Sequence, residues 1–326
     1  MRLKYLLLLS MAIVTLAGCK SQPQSSAGSA SQVENNTTAV EVPAFDGDNA
    51  YSMVKAQCDF GPRVPGTEAH AKCAQWLEQQ LKQCCDSVIV QEAQVKTFDN
   101  TTLNIKNLVG CINPDNTDRI LLLAHWDCRP WADNDPDPAK QHQPVMGAND
   151  GASGVGVLLE LARIMHEKRP TIGVDILLVD AEDWGTNDVE DSWALGTQYW
   201  AKHPHVEGYS PRFGILLDMV GASGARFSKE IMSMQWASEV VNEVWTAASD
   251  AGYGNYFVNT LGGAITDDHV QVNEAGIKCI DIIDMRQDSD TGFFDGWHTT
   301  ADTMQWIDKA VLKAVGQTVA TVIYSY

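Results

Sequence analysis

Acidic residues and histidines cluster where short apolar runs of the chain end. The clusters are His125-Trp126-Asp127, Asn149-Asp150-Gly151, Glu182-Asp183, Asp218, Asp267-Asp268-His269 and Trp297-His298. Imidazole nitrogens and carboxylate oxygens form a ligand set that suits zinc. Carboxylates that converge repel one another unless a cation lies between them. The residue types therefore predict a site for one or two zinc ions.

The adjacent pair Glu182-Asp183 is the most informative of these clusters. At the end of a strand, neighbouring side chains point in different directions. One of them can therefore bind a metal while the other meets a substrate as a general acid or base. A catalytic zinc ion also needs three protein ligands and an open coordination position. The pair indicates metal-assisted catalysis.

The elements that must position these residues alternate along the chain. Runs rich in Leu, Ile and Val predict strands at 119–124, 174–179, 213–217 and 279–283. Amphipathic segments predict helices at 67–84, 151–168, 192–203, 235–251, 267–274 and 301–324. We expect an α/β fold, a three-layer sandwich with a mixed, mostly parallel twisted central sheet flanked by helices. In such sheets ligands bind at the carboxyl ends of the strands, where the clusters stand.

The composition excludes some classes of protein. The chain has 326 residues, with 23 Lys and Arg against 42 Asp and Glu, and its formal net charge is −19. Such a chain repels phosphate backbones, so we expect no nucleic-acid partner. The apolar content of 44% is typical of a chain that folds around a core. Seven cysteines follow Cys19, and we expect them to be buried, with one or two disulfides.

The first residues are typical of an exported protein. Arg2 and Lys4 precede an apolar run at 6–16 that is too short to span a bilayer as a stable helix. The motif Leu16-Ala17-Gly18-Cys19 resembles the bacterial lipoprotein signal, in which the cysteine is lipidated. An ordinary signal peptide, cleaved after small residues, is the alternative.

We therefore divide the chain into three segments. A lipoprotein signal peptide is expected at 1–18, a lipidated Cys19 with a flexible tether at 19–43, and a single catalytic domain at 44–326. The prediction is a periplasmic lipoprotein, anchored to the inner or outer membrane only through Cys19. We expect a monomer.

The order of the motifs resembles the M28-type zinc aminopeptidase superfamily over essentially all of 44–326. The motifs are His125-Trp126-Asp127, Asn149-Asp150-Gly151-Ala152-Ser153-Gly154, Glu182-Asp183, Leu217-Asp218-Met219-Val220-Gly221 and Trp297-His298-Thr299. Within the superfamily the chain is similar to bacterial glutaminyl cyclases of the animal type. That similarity rests on Asp267-Asp268-His269, on Trp297 directly before His298, on the run 216–222 and on Asp191-Ser192-Trp193.

The resemblance implies a glutaminyl-peptide cyclotransferase with one zinc ion per chain. Its implied zinc ligands are Asp150, Asp183 and His298, and its implied proton-transfer residue is Glu182. The implied substrates are peptides and proteins with N-terminal glutamine, which is cyclised to pyroglutamate with release of ammonia. The animal cyclases carry Glu-Glu where this chain has Glu182-Asp183, so the metal ligand here is one methylene shorter.

The resemblance also implies roles for residues around the metal. Asp218 and Asp267 would form a catalytic acidic network beside Glu182. Trp193 and Trp297 would bind the substrate as walls of its pocket.

Two alternatives remain open. A two-zinc M28-type aminopeptidase, which hydrolyses N-terminal residues, would use the ligands His125, Asp150, Asp183, Asp218 and His298, and every one is present. The acids Asp267 and Asp268 favour the cyclase, because they would draw Asp218 into a network that shares protons. A lipid-anchored binding protein on a decayed hydrolase fold would have lost acids such as Glu182 or Asp150, and both are intact.

Overall fold

The computed structural model describes residues 41–326 of the chain. Its helices are α1 (Gly47–Cys58), α2 (Glu68–Cys84), α3 (Ala152–Glu167), α4 (Leu195–Lys202), α5 (Ile231–Asp250), α6 (Asp268–Glu274) and α7 (Lys309–Ile323). Its strands are β1 (Ser87–Lys96), β2 (Thr102–Ile112), β3 (Arg119–His125), β4 (Gly173–Val179), β5 (Gly214–Asp218), β6 (Phe227–Lys229), β7 (Phe257–Leu261) and β8 (Cys279–Ile283).

The N-terminal predictions fall mostly outside this range. The signal peptide, Cys19 and nearly all of the tether precede the described residues. Among the helices of residues 41–326, none is long and apolar enough to cross a membrane.

The central sheet has six strands in the order β1-β2-β4-β3-β5-β8. Strands β4, β3, β5 and β8 run parallel to one another, whereas β1 pairs antiparallel with β2, and β2 with β4. The four predicted strands, β3, β4, β5 and β8, are fully buried, as expected of continuous apolar runs. The predicted mixed, mostly parallel sheet is confirmed.

Helices cover both faces of the sheet. Strand side chains alternate between the faces, so Leu122 and Ile176 pack in a core with α1, α2, α3, α5 and α7. The intervening Leu121 and Leu177 pack on the other face with Trp200 of α4 and neighbouring residues of α6. Three layers result, and they confirm the predicted sandwich.

Several element boundaries differ from the predictions. The last helix starts at Lys309 rather than at 301, because the residues before it form turns in which Asp302 binds other backbone groups. Helix α4 starts at Leu195 rather than at 192, after Ala194 takes a left-handed φ of 58°. Helix α5 starts at Ile231, four residues before the predicted 235, because the Glu230 carboxylate caps it.

The prediction of one or two disulfides is wrong for this structure. All seven cysteines of the described residues are free: Cys58, Cys73, Cys84, Cys85, Cys111, Cys128 and Cys279. Five of them are buried and two are half-buried. They pack as small apolar side chains, so the expectation that the cysteines are mostly buried is confirmed.

Candidate metal centre and active site

The carboxyl ends of the parallel strands bring the predicted polar residues together. Asp218 ends β5, Glu182 and Asp183 follow β4, and Asp150 lies just before α3. His298 comes from the long segment between β8 and α7. Their exposed fractions run from 2% at Asp183 to 9% at Glu182. Residues far apart in sequence therefore share one buried site.

The three predicted zinc ligands form one group. Asp150, Asp183 and His298 each offer a ligand atom within 4.8 Å of the other two. His298 Nε2 lies 3.3 Å from Asp183 Oδ1 and 3.7 Å from Asp150 Oδ2. His298 also has a left-handed φ of 54°, which is uncommon for a residue with a side chain and recurs at functional sites.

A second group of potential ligands shares Asp150. His125 Nε2 lies 3.0 Å from Asp150 Oδ1 and 3.2 Å from Asp218 Oδ1, while its Nδ1 lies 3.4 Å from Asp127 Oδ1. Gly151 permits this packing, because a Cβ there would lie 2.5 Å from the carbonyl oxygen of His125. His125 and Asp218 are the additional ligands that a two-zinc centre would use.

Burial and crowding raise the pKa values of the neighbouring acids. Burial raises the pKa of Glu182 well above its ordinary value, and the charges of Asp267 and Asp183 add to this effect. Burial also raises the pKa of Asp218 to about 6. At Asp267 burial and the charge of Asp218 raise the pKa to about 7. Asp218 and Asp267 are therefore an acidic pair that titrates much closer to neutral pH than ordinary aspartates do.

Two further aspartates hold the ligand-bearing loops. The Asp302 carboxylate accepts hydrogen bonds from the backbone N–H of Asn149 at 2.9 Å and of Asp150 at 3.1 Å. The Asp127 carboxylate accepts from both backbone N–H groups of Glu182-Asp183, at 3.1 and 3.2 Å. The sequence predicted no role for Asp302 or for Asp127. Asp127 lies in the first motif, which was a usable signal, whereas nothing in the sequence indicates the partners of Asp302.

A small cavity opens beside the ligand group. Its volume is about 370 Å³, and Glu182, Asp267, Trp193 and Trp297 are among its lining residues. The Trp297 ring stacks on the His298 ring, with 3.9 Å between the ring centroids. The Trp193 ring also stacks on the His298 ring, with 6.1 Å between centroids. Both predicted substrate-binding tryptophans therefore lie in the wall of the cavity, next to a predicted metal ligand.

Zinc fits the group Asp150, Asp183 and His298 by the chemistry of its donors. Two carboxylates and one imidazole are three protein ligands, which leave a coordination position for a substrate. A cation would also offset the repulsion among the carboxylates buried there. A mostly parallel sheet with such a group at the carboxyl ends of its strands defines a metal-dependent enzyme of the α/β class.

Comparisons with known proteins agree with this class. The family model described as Peptidase family M28 matches residues 107–323. The chain is similar to aminopeptidase YwaD of Bacillus subtilis, with 28% identity over 71% of this chain and 46% of that protein. It thus spans about half the length of that relative. The chain belongs to peptidase family M28.

Solved structures give closer similarity over nearly the whole described region. A glutaminyl cyclase of Bacteroides thetaiotaomicron, bound to N-acetylhistamine, is 49% identical over 88% of this chain and 100% of that chain, with a TM-score of 0.86. A Porphyromonas gingivalis glutaminyl cyclase is 47% identical over 85% and 96%, with a TM-score of 0.83. A Zn-dependent exopeptidase of Parabacteroides distasonis is 50% identical over 88% and 100%, with a TM-score of 0.86. The predicted resemblance to bacterial glutaminyl cyclases of the M28 superfamily is confirmed.

Proposed function

We propose that the protein cyclises the N-terminal glutamine of peptides and proteins to pyroglutamate and releases ammonia, with one zinc ion per chain. The observation that carries the proposal is the cavity, in which Glu182 and the acidic pair Asp218 and Asp267 meet Trp193 and Trp297. At about 370 Å³ it lies at the small end of the ~300–1,000 Å³ typical of ligand pockets. It suits one terminal side chain. The similar cyclases of known structure support the same substrate.

The ligand group and the tryptophans would hold the glutamine side chain. Zinc bound by Asp150, Asp183 and His298 would supply Lewis-acid polarisation of the γ-amide carbonyl. Trp193 and Trp297 wall the cavity beside His298, so they exclude water and keep the side chain folded back toward its own α-amine.

Glu182 would move the proton. The nucleophile is the α-amine of the same glutamine, so the reaction needs no activated water. The amine, with an ordinary pKa of ~7.7–8.0, must be neutral to attack, and the Glu182 carboxylate accepts its proton. The amine nitrogen bonds to the side-chain amide carbon, Cδ. The bond from Cδ to the amide nitrogen then breaks, and Glu182 donates the proton to that nitrogen, which leaves as ammonia. A raised pKa suits a group that must hold the proton between these steps.

The acidic pair would act beside Glu182. Asp267 contributes to the raised pKa of Glu182, and Asp218 contributes to that of Asp267. Two carboxyls that share a proton keep one negative charge between them. That charge would accept a hydrogen bond from the neutral amino group of the substrate and so help to orient it in the cavity.

A two-zinc aminopeptidase is the second candidate function. The group His125, Asp150 and Asp218 favours it, because these residues offer ligand atoms within 4.8 Å of one another. The similarity to the Bacillus subtilis aminopeptidase also supports it. Against it stands the acidic pair, because a proton shared between Asp218 and Asp267 would leave Asp218 with less negative charge to bind a second metal ion.

Two peptides separate the candidates. Purified protein is incubated with a peptide that starts with Gln and with a matched peptide that starts with Leu, and the products are weighed by mass spectrometry. We expect the Gln peptide to lose one ammonia and the Leu peptide to remain intact, and both to remain intact after treatment with a zinc chelator. Loss of the terminal Leu residue, with an unchanged Gln peptide, would favour the aminopeptidase.

A further inference from the structure

The side chain of Arg129 is buried against the candidate metal centre, in the loop that follows β3. Only 3% of it is exposed. Its Nε and Nη2 donate to the two oxygens of Asp133, at 2.7 and 2.6 Å. Its Nη1 donates to the carbonyl oxygens of Asp183 at 3.0 Å and Gly185 at 3.2 Å, and lies 3.4 Å from Asp183 Oδ1. The guanidinium therefore joins its own loop to the loop that carries one zinc ligand.

The partner of Arg129 contacts a second zinc ligand. Asp133 Oδ1 lies 3.5 Å from His298 Nδ1, and the next residue, Asn134, donates its backbone N–H to the carbonyl oxygen of His298 at 3.1 Å. The ring and the main chain of His298 are thus both held by this loop. The other ring nitrogen, Nε2, is the one that faces Asp150 and Asp183. A carboxylate on one ring nitrogen fixes the orientation of a metal-binding histidine.

The guanidinium of Arg129 also contacts the wall of the cavity. Its central carbon lies 4.9 Å from the centroid of the Trp193 ring and 5.1 Å from that of Trp131. Stacking of a guanidinium on aromatic rings is a favourable contact that a lysine ammonium reproduces poorly. One buried side chain therefore touches the Asp183 loop, the Trp193 wall and, through Asp133, His298.

We propose that Arg129 is a positioning residue, which together with Asp133 sets the geometry of the zinc ligands Asp183 and His298. It acts through these residues and does not touch the reacting atoms. Lysine cannot replace it, since a single ammonium cannot bind the Asp133 carboxylate through two parallel bonds and still reach the Asp183 carbonyl. The proposal rests on the zinc assignment above, but not on which reaction the loaded enzyme performs.

The test measures zinc affinity in Arg129→Lys by competition with a chromophoric chelator. Residues that orient metal ligands typically change metal affinity by ~10–100-fold when they are replaced. We expect a loss in this range, and a shifted absorption spectrum of the Co²⁺-substituted variant, because two ligands change position. Neither the zinc affinity nor the Co²⁺ spectrum depends on catalytic turnover.

Arg119→Lys is the matched control. Arg119 is also buried and also binds a buried aspartate through two bonds, both of 2.5 Å to Asp175, but it lies at the start of β3, at the other end of the sheet. We expect this variant to unfold at a lower temperature and to keep the zinc affinity of the wild type. Equal losses of zinc affinity in the two variants would overturn the proposal, because general destabilisation would then explain both.

Asp133→Asn keeps the test decisive if Arg129→Lys does not fold. The Asp133 side chain is 43% exposed, so its replacement spares the core. We expect zinc affinity about tenfold lower than in the wild type. Wild-type affinity in Asp133→Asn and Arg129→Lys would overturn the positioning role while leaving the proposed function intact. A wild-type protein that binds no zinc would overturn both.

Discussion

Two buried clusters of this protein offer similar sets of potential metal ligands, but they differ in whether nearby cations balance their negative charge. The carboxylate site consists of Asp150, Asp183 and His298, at the carboxyl ends of the strands. The neutralised cluster consists of Cys111, Asp175 and His205. In both clusters the ligand atoms lie within 4.8 Å of one another.

The two clusters differ in charge balance. In the neutralised cluster, Arg119 binds both oxygens of Asp175 and Tyr209 donates its hydroxyl to one of them at 2.8 Å. Burial opposes ionisation there, yet His205, Arg119 and Tyr209 together lower the pKa of Asp175 to about 2. This carboxylate is ionised and fully bonded without any added ion.

In the carboxylate site the acids outnumber the fixed cations. Burial, with the charge of Asp150 adding to it, raises the pKa of Asp183, even though Arg129 and His298 oppose the change. Next to this site, burial likewise raises the pKa of Asp218 to about 6. A further cation is what such a group lacks. Residue type and proximity are thus shared by the two clusters, and the missing positive charge distinguishes the carboxylate site from the neutralised cluster.

Measuring the metal content of variants is the most direct test of which cluster binds zinc. We expect the wild type to bind one zinc ion per chain and His298→Ala to bind none and to lose its activity, because one of three ligands is gone. Asp175→Asn should keep the zinc ion, since its cluster has no need of one. Elemental analysis of the purified variants checks both outcomes. Zinc lost from Asp175→Asn but kept in His298→Ala would reverse the assignment, and two zinc ions per chain would favour the aminopeptidase.

A substitution of Glu182 tests whether an acid beside the carboxylate site transfers protons without binding the metal. We expect Glu182→Gln to keep zinc and to lower turnover of a Gln peptide by ~10²–10⁴-fold, the usual contribution of a general acid or base. Ammonia release measures the rate. The matched control is Glu160→Gln in α3, a fully buried glutamate that bonds Asn49 and Arg163. Its turnover should stay near that of the wild type, and equal rates in the two variants would remove Glu182 from the mechanism.

The charge balance of the neutralised cluster should make the free energy of unfolding depend on pH. The ordinary pKa of Asp175 is 3.8 and its folded value is about 2, so ionised Asp175 stabilises the folded protein above about pH 4. The shift corresponds to about 2 kcal/mol of unfolding free energy, which disappears as the pH falls through the folded pKa. Urea unfolding of the wild type and Asp175→Asn, both with chelator, measures it. The difference in unfolding free energy between the two proteins should shrink by about this amount between pH ~7 and ~2. A difference that stays constant with pH would show that ionised Asp175 does not stabilise the fold.

The sequence was sufficient for the architecture and for the prediction that the main candidate residues meet at one edge of the sheet. Strands β3, β4, β5 and β8 are continuous apolar runs, and such runs are recognisable because both faces of the strand are buried. Parallel strands place their carboxyl ends at one edge, so Glu182, Asp183 and Asp218 could be expected to meet there.

Other features depend on contacts that spacing does not encode. The antiparallel pair β1 and β2 was missed, since β1 is a largely polar, half-exposed edge strand without a strong apolar period. Asp302 stabilises backbone groups 152 and 153 residues away, and only the folded chain brings them together. Arg129 and Arg119 are equally unremarkable in the sequence, and their partners decide what each one does.

A smaller effect separates two tryptophans that stack on histidines in the two clusters. Trp193 lies 6.1 Å from His298, and Trp200 lies 6.1 Å from His205. Trp193 lines the cavity, so Trp193→Ala should remove an aromatic contact of about 1 kcal/mol and raise the KM for Gln peptides about fivefold. Trp200 is fully buried in the core, so Trp200→Phe should lower the melting temperature and leave KM unchanged. Steady-state kinetics and thermal unfolding of both variants measure the contrast, and an unchanged KM in Trp193→Ala would exclude that residue from the substrate pocket.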